Sequence, residues 1–105
     1  MTSTIKKTRE FRLIYNRGRS AANKYLVLFV LKNRLDYNRL GISISKKIGK
    51  AVVRNKIRRR LKENFRQLEI EKQGYDFVFI ARIPSSSAGY QELSCSMSHL
   101  IQKMK

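Results

Sequence analysis

The chain has one cysteine, one proline and no tryptophan, and its 7 acidic residues face 24 lysines and arginines in 105 positions. Each scarcity excludes something. With Cys95 alone, no disulfide scaffold can form. Pro84 is the only proline, so there is no proline-rich linker, and the length suits one domain of roughly 100–150 residues. The longest apolar run, Tyr25 to Leu31, falls far short of the ~20 residues of a membrane span. The opening MTSTIKKTREF is basic with no apolar stretch behind it, so it does not read as a secretory signal. A reduced, cytoplasmic setting is therefore the expectation. The shortage of acids leaves a formal charge of +17, which repels itself in a compact state. Such charge implies a polyanionic partner, either nucleic acid or an anionic membrane. A hydrophobic fraction of 42% and 10% aromatics suffice for a small core.

Periodicity sets out the elements. A short helix starts near Thr8 as its cap, carries Phe11, Ile14 and Tyr15 on one face and stops at Gly18. Ser20–Asn23 can add an edge strand. Tyr25–Leu31 is strand length and apolar throughout, so both its faces are covered. After a polar turn over Asn33–Asn38, Leu40–Ser45 alternates, with Leu40, Ile42 and Ile44 buried. These two strands are expected to pair as an antiparallel hairpin. A long basic helix follows, ended by Gly74, then a strand over Asp76–Ala81 and a surface loop at Pro84–Ser87. A terminal helix carries Leu93, Met97, Leu100, Ile101 and Met104 on one stripe. The order predicts a single α+β domain, with helices packed on a mixed, mainly antiparallel four-stranded sheet.

The basic helix carries most of the functional information. Lys46, Lys47, Lys50, Arg54, Lys56, Arg58, Arg59, Arg60 and Lys62 make nine cations in seventeen residues with no acid among them. From Ala51 onward, Val53, Ile57, Leu61 and Phe65 recur every four residues, and Leu68 extends a stripe that must face the sheet. Lys50, Arg54, Arg58 and Lys62 form a second stripe beside it. Asn55 and Arg59 fall opposite the core, and Lys56 and Arg60 on the far flank. A charge run is often only a solvated face. Here the Glu–Lys pairs that support an ordinary exposed helix are missing until Glu63, and like charges at i, i+4 repel. The run is also rich in arginine, whose planar fork suits phosphate, so its pattern predicts contact with a phosphate backbone.

The stretch Ser43-Ile44-Ser45-Lys46-Lys47-Ile48-Gly49-Lys50-Ala51-Val52-Val53-Arg54-Asn55-Lys56-Ile57-Arg58-Arg59 resembles the signature of the bacterial ribonuclease P protein component. In that family an Arg-Asn-Arg core on a helix is preceded by Lys-Ala-Val and followed by further basic residues. The first helix from Phe11 to Gly18, the strand aromatic Phe29 and the strand end Ala81-Arg82 agree with it, so the resemblance covers nearly the whole chain. Lys56 departs from it by standing where the family has its second arginine, keeping the charge but losing the bidentate fork. The resemblance implies one RNA-binding domain over residues 1–105 with a left-handed βαβ crossover through the basic helix. It implies a subunit of a ribonucleoprotein endoribonuclease that removes the 5′ leader of precursor tRNA. Hydrolysis then falls to the catalytic RNA and its Mg²⁺ ions, while the protein binds that RNA and the leader and itself holds no cofactor. The RNA-binding residues would be Lys46, Lys47, Lys50, Arg54, Asn55, Lys56, Arg58, Arg59 and Lys62. Phe11, Tyr15 and Phe29 would line a leader cleft.

Read from the residues alone, Phe11 and Tyr15 share a helix face, and Phe29 follows Tyr25 and Val27 on one strand face. Such aromatics either stack on unpaired bases or serve as ordinary core, and the pattern leaves both open. No catalytic or metal site is expected in the protein. A two-metal nuclease needs converging carboxylates, and the acids are scattered. Glu69 and Glu71 are expected two apart on a helix, pointing about 200° away from each other. Cys95 and His99 at i, i+4 offer two ligands where a structural zinc takes four. A ribosomal-protein-like RNA binder without a role in cleavage is the nearest rival. A DNA-binding helix-turn-helix lacks its paired helices, and a membrane binder would need apolar residues where this helix has its core stripe.

Overall fold

The computed structural model describes residues 3–68 and 70–104. Its elements run β1 (Ser3–Thr4), α1 (Thr8–Arg17), β2 (Arg19–Ala22), β3 (Leu26–Lys32), β4 (Arg39–Ser43), α2 (Ala51–Gln67), β5 (Tyr75–Ala81) and α3 (Tyr90–Lys103). Short 3₁₀ turns at Lys46–Ile48 and Ile83–Ser87 lead into α2 and α3. The fold is a single α+β domain with helices on a mixed sheet, and α1 packs on one face while α2 and α3 pack on the other.

The sheet order is β1-β4-β5-β3-β2. This corrects the expected hairpin: β3 and β4 do not pair, because β5 lies between them, antiparallel to β3 over seven positions and parallel to β4 over five. The physical reason lies in β5 itself. Tyr-Asp-Phe-Val-Phe-Ile-Ala is apolar on both faces and almost wholly buried, so the centre of the sheet is where it loses most contact with water. The turn after β3 opens wide enough to admit it, and two asparagines hold its start. Asn33 donates to the Asp76 carboxylate (2.9 Å), and Asn38 accepts from the Tyr75 N–H (3.0 Å) and donates to the Lys72 carbonyl (3.0 Å). Gly74, with φ +90°, makes the bend that precedes β5. The connection β4–α2–β5 is a parallel crossover through the basic helix, and the two-residue β1, which the sequence pattern did not anticipate, adds a fifth strand beside β4.

Smaller departures have local causes. The residue preceding α1 is Lys7, not Thr8, and it makes no side-chain cap. Gly18 ends α1 in extended backbone, so its role is close approach: a Cβ there would sit 2.6 Å from the Ile14 carbonyl oxygen. β4 stops at Ser43, and Ser45 turns its hydroxyl to accept the Lys47 N–H (3.2 Å). Pro84–Ser87 is wound into the second 3₁₀ turn, with Ser85 buried and donating to the Arg82 carbonyl (2.6 Å). Helix α2 ends at Gln67, seven residues before Gly74, so Glu71 stands exposed in the connection to β5. Glu69 lies outside the described residues.

The main core lies between the sheet and α2/α3, where Ile57, Leu61 and Phe65 of α2 meet Leu26, Leu28, Phe77 and Phe79 of the sheet and Leu93, Met97 and Leu100 of α3. The Val53–Phe65 stripe faces the sheet as its spacing predicts.

Candidate nucleic-acid interface

Because the apolar stripe of α2 is committed to the core, the remainder of that helix is a cationic surface. The structure sorts its cations by what they touch. Arg60 is half-buried and donates to the Ala88 carbonyl (2.9 Å), tying α2 to the turn before α3. Arg54 donates through Nε to the Gly49 carbonyl (3.2 Å), closing the loop that leads into the helix. Arg58 reaches only the Asn55 amide oxygen (3.4 Å), and Arg66 pairs with Glu63. Lys46, Lys47, Lys50, Lys56, Arg59 and Lys62 are exposed and have no acceptor among the described residues. Asn55 and Arg59 point away from the core, as their spacing requires.

Between this flank of α2 and the sheet edge runs a groove of about 480 Å³. Thr4 of β1 and Leu40 of β4 form one side, Asn55, Arg58, Arg59 and Lys62 the other, and the Glu63–Arg66 pair closes one end. Sequence spacing groups the α2 residues, but nothing local could place Thr4 and Leu40 opposite them.

On the other face of the sheet the three expected cleft aromatics come together. The rings of Phe11 and Tyr15 lie 6.2 Å apart, and Tyr15 meets Phe29 edge-on at 5.1 Å. All three are partly buried and surround a small buried set of Ile5, Ile14 and Val78. Gly41 supplies the floor, since a Cβ there would lie 2.9 Å from the Phe11 ring. A glycine inside a strand is the signal that could have announced this close approach. Tyr25 does not join the group. It precedes β3, packs on the opposite core and donates its hydroxyl to Glu92 of α3 (2.6 Å). That hydrogen bond raises the Tyr25 pKa and lowers that of Glu92, which also accepts the Gly89 N–H (3.1 Å).

Helix α1 is fixed to the sheet by a network missed at the level of sequence. Arg39 of β4 makes two hydrogen bonds to buried Asp76 of β5 (2.6 and 2.8 Å) and a third to Glu10 of α1 (2.7 Å). Asp76 holds the Arg39 pKa above its already high ordinary value. Of the other acids, Glu63 and Glu92 are engaged with Arg66 and Tyr25, and Asp36 and Glu71 are exposed. Among the described residues no three His, Cys, Asp or Glu side chains gather in a way that could hold a metal ion. Cys95 and His99 instead line a second groove with Tyr25 and Glu92.

Fold and surface together define a class: a small α+β domain that turns one cationic helix outward on one side and keeps a half-covered aromatic cluster on the other. A family model for ribonuclease P matches residues 1–105, and the chain belongs to that family of ribonuclease P protein components. It is 49% identical over 105 residues to the ribonuclease P protein component of Clostridioides difficile strain 630, covering 97% of this chain and 91% of that one. Against the Clostridium kluyveri protein component identity is 52% over 103 residues, covering 94% and 91%. The Staphylococcus aureus RNase P protein superposes with a TM-score of 0.91 at 38% identity, covering 100% of this chain and 97% of that one. The Thermotoga maritima protein gives 0.88 at 32%, covering 98% of each. Membership places the chain in tRNA processing, as the protein part of an RNA-cleaving ribonucleoprotein.

Proposed function

We propose that the chain, as one RNA-binding domain over residues 1–105, binds the catalytic RNA of a bacterial ribonuclease P and the 5′ leader of precursor tRNA. The observation that carries this reading is the outward face of α2 and its preceding turn. Six cations there have no protein partner among the described residues, on a helix whose apolar side is already committed to the core. Lys46, Lys47, Lys50, Lys56, Arg59 and Lys62 neutralise phosphates directly, with Asn55 and Arg58 beside them. Arg54 shapes the loop that presents Lys46 to Lys50. Each neutralised phosphate releases counterions, so affinity falls steeply with salt. Phe11, Tyr15 and Phe29 offer the uncovered parts of their partly buried rings to unpaired leader bases, a contact that is indifferent to sequence.

Among the described residues the acids are engaged or dispersed, which supports leaving hydrolysis and its Mg²⁺ ions to the RNA. The chain positions and screens. Its working place is the cytoplasm with its RNA, and neither DNA nor a membrane is its partner. The test is reconstitution: mixed with a bacterial ribonuclease P RNA at low Mg²⁺, the protein restores leader removal. No restoration, with RNA still bound, supports the rival of a structural RNA binder. His99→Ala and Asp36→Ala should leave turnover of the saturated holoenzyme within a few-fold of the unmodified protein. A loss of several orders of magnitude at either would move chemistry to the protein.

A further inference from the structure

We infer that the groove between α2 and the β1–β4 edge receives one unpaired nucleotide of the partner RNA. The inference rests on the reading of α2 as an RNA-binding helix and adds the form of RNA that it takes. A duplex backbone needs only exposed cations on a convex surface, such as Lys50 and Lys56. The groove is different. Its volume of about 480 Å³ lies within the range of small-molecule sites. One wall is Thr4 with the edge of the largely buried Leu40 behind it, a surface against which a base can rest. The other presents Arg59 and Lys62, cations without an acceptor among the described residues and so available to a phosphate. Asn55 lines the same wall one turn before Arg59. Its amide oxygen takes the long hydrogen bond from Arg58, which leaves Nδ2 as a donor for the edge of a base. Apolar wall, neutral amide and paired cations match the base, base edge and phosphate of one nucleotide, which a stacked duplex does not present together.

The test uses the full chain and titrates it separately with uridine 5′-monophosphate, uridine and inorganic phosphate, following backbone amides by NMR. The monophosphate should shift Thr4, Leu40, Asn55 and Arg59 together, and phosphate should shift only the surroundings of Arg59 and Lys62. Asn55→Ala, at an exposed position, should weaken the monophosphate by about three- to tenfold and leave phosphate unchanged. Identical maps for monophosphate and phosphate would reduce the groove to a general anion patch and overturn the inference. So would monophosphate shifts confined to Phe11, Tyr15 and Phe29. Both outcomes are read on the unmodified protein, so neither depends on a variant folding. A parallel salt titration against a bacterial ribonuclease P RNA separates the two levels. If Arg59→Ala with Lys62→Ala flattens the salt dependence while the maps are identical, only the nucleotide pocket fails. If the salt dependence is unchanged as well, the reading of α2 fails with it.

Discussion

The two faces of the sheet are built to different standards. On the α2/α3 side fourteen buried residues form one continuous cluster, and Leu26, Leu28, Leu61, Phe79, Leu93, Met97 and Leu100 have no exposure at all. On the α1 side the buried apolar cluster among the described residues is Ile5, Ile14 and Val78, and the larger side chains around them are only partly buried. Burial of apolar area sets stability, so the first face holds the domain together. The second is kept in place by polar and geometric devices, namely the Glu10–Arg39–Asp76 network and the ring of Phe11 on Gly41. Where less apolar area is buried, directional contacts replace the missing area.

The largest test of this contrast compares two phenylalanines. Phe79→Ala should lower unfolding stability by about 3–5 kcal/mol, since it empties a fully buried site. Phe11→Ala should cost about 1–2 kcal/mol in the same urea melts, because less of its ring leaves water. Phe11→Ala, Tyr15→Ala and Phe29→Ala should also weaken precursor tRNA more than mature tRNA. Equal stability losses at Phe11 and Phe79, with equal losses for both RNAs, would make the aromatic cluster ordinary core.

Arg39→Met probes the polar devices on the α1 face. It leaves the Asp76 carboxylate buried with only Asn33 beside it and should cost about 3 kcal/mol in urea unfolding. A negligible loss would show that packing alone seats α1.

Within α2 the same contrast separates anchored from outward cations. Arg60→Ala should lower stability by about 1 kcal/mol, through the lost hydrogen bond to Ala88, and leave the salt dependence of RNA binding intact. Lys62→Ala should do the reverse, reducing the log–log salt slope by about 0.7–0.9 with unfolding unchanged. Matching behaviour in the two variants would erase the distinction.

The smallest effect concerns Tyr25 and Glu92, on the exposed rim of the larger core. Glu92 has a lowered pKa, so its contribution is present above the ordinary carboxylate range and fades as pH falls through the lowered value. Tyr25 has a raised pKa, so its contribution is present below the ordinary phenol range and fades as pH rises through the raised value. Tyr25→Phe should therefore lower Tm slightly between those limits and not outside them. A uniform offset at every pH would mean that the hydroxyl's hydrogen bond is not responsible.

How much of this was legible beforehand depended on the range of the interaction involved. Helices read well, because i, i+4 spacing is a local property: Val53, Ile57, Leu61 and Phe65 had only one way to share a face. The cationic side of α2 followed by subtraction, and the stretch from Ser43 to Arg59 with its matches elsewhere was enough to point to the family. The role of each cation was not legible. Arg59 and Arg60 are adjacent and chemically identical, yet one faces solvent and the other is fixed to a carbonyl 28 residues away.

Strand order escaped for a related reason. Two apolar strands joined by a polar turn read as a hairpin, because that pairing closes the shortest loop. The free energy gained by placing β5 between them comes from burying both of its faces, and no window on β3 or β4 reveals that competitor. The amino-acid sequence by itself thus determined the helices, the longer strands, the charge and the family. Tertiary structure alone decided which strand is central, which arginines are bonded within the chain and which face outward, and that Thr4 and Leu40 stand across a groove from Asn55. These are contacts between residues far apart in the chain, and only the closing of the whole core makes one set of them more favourable than another.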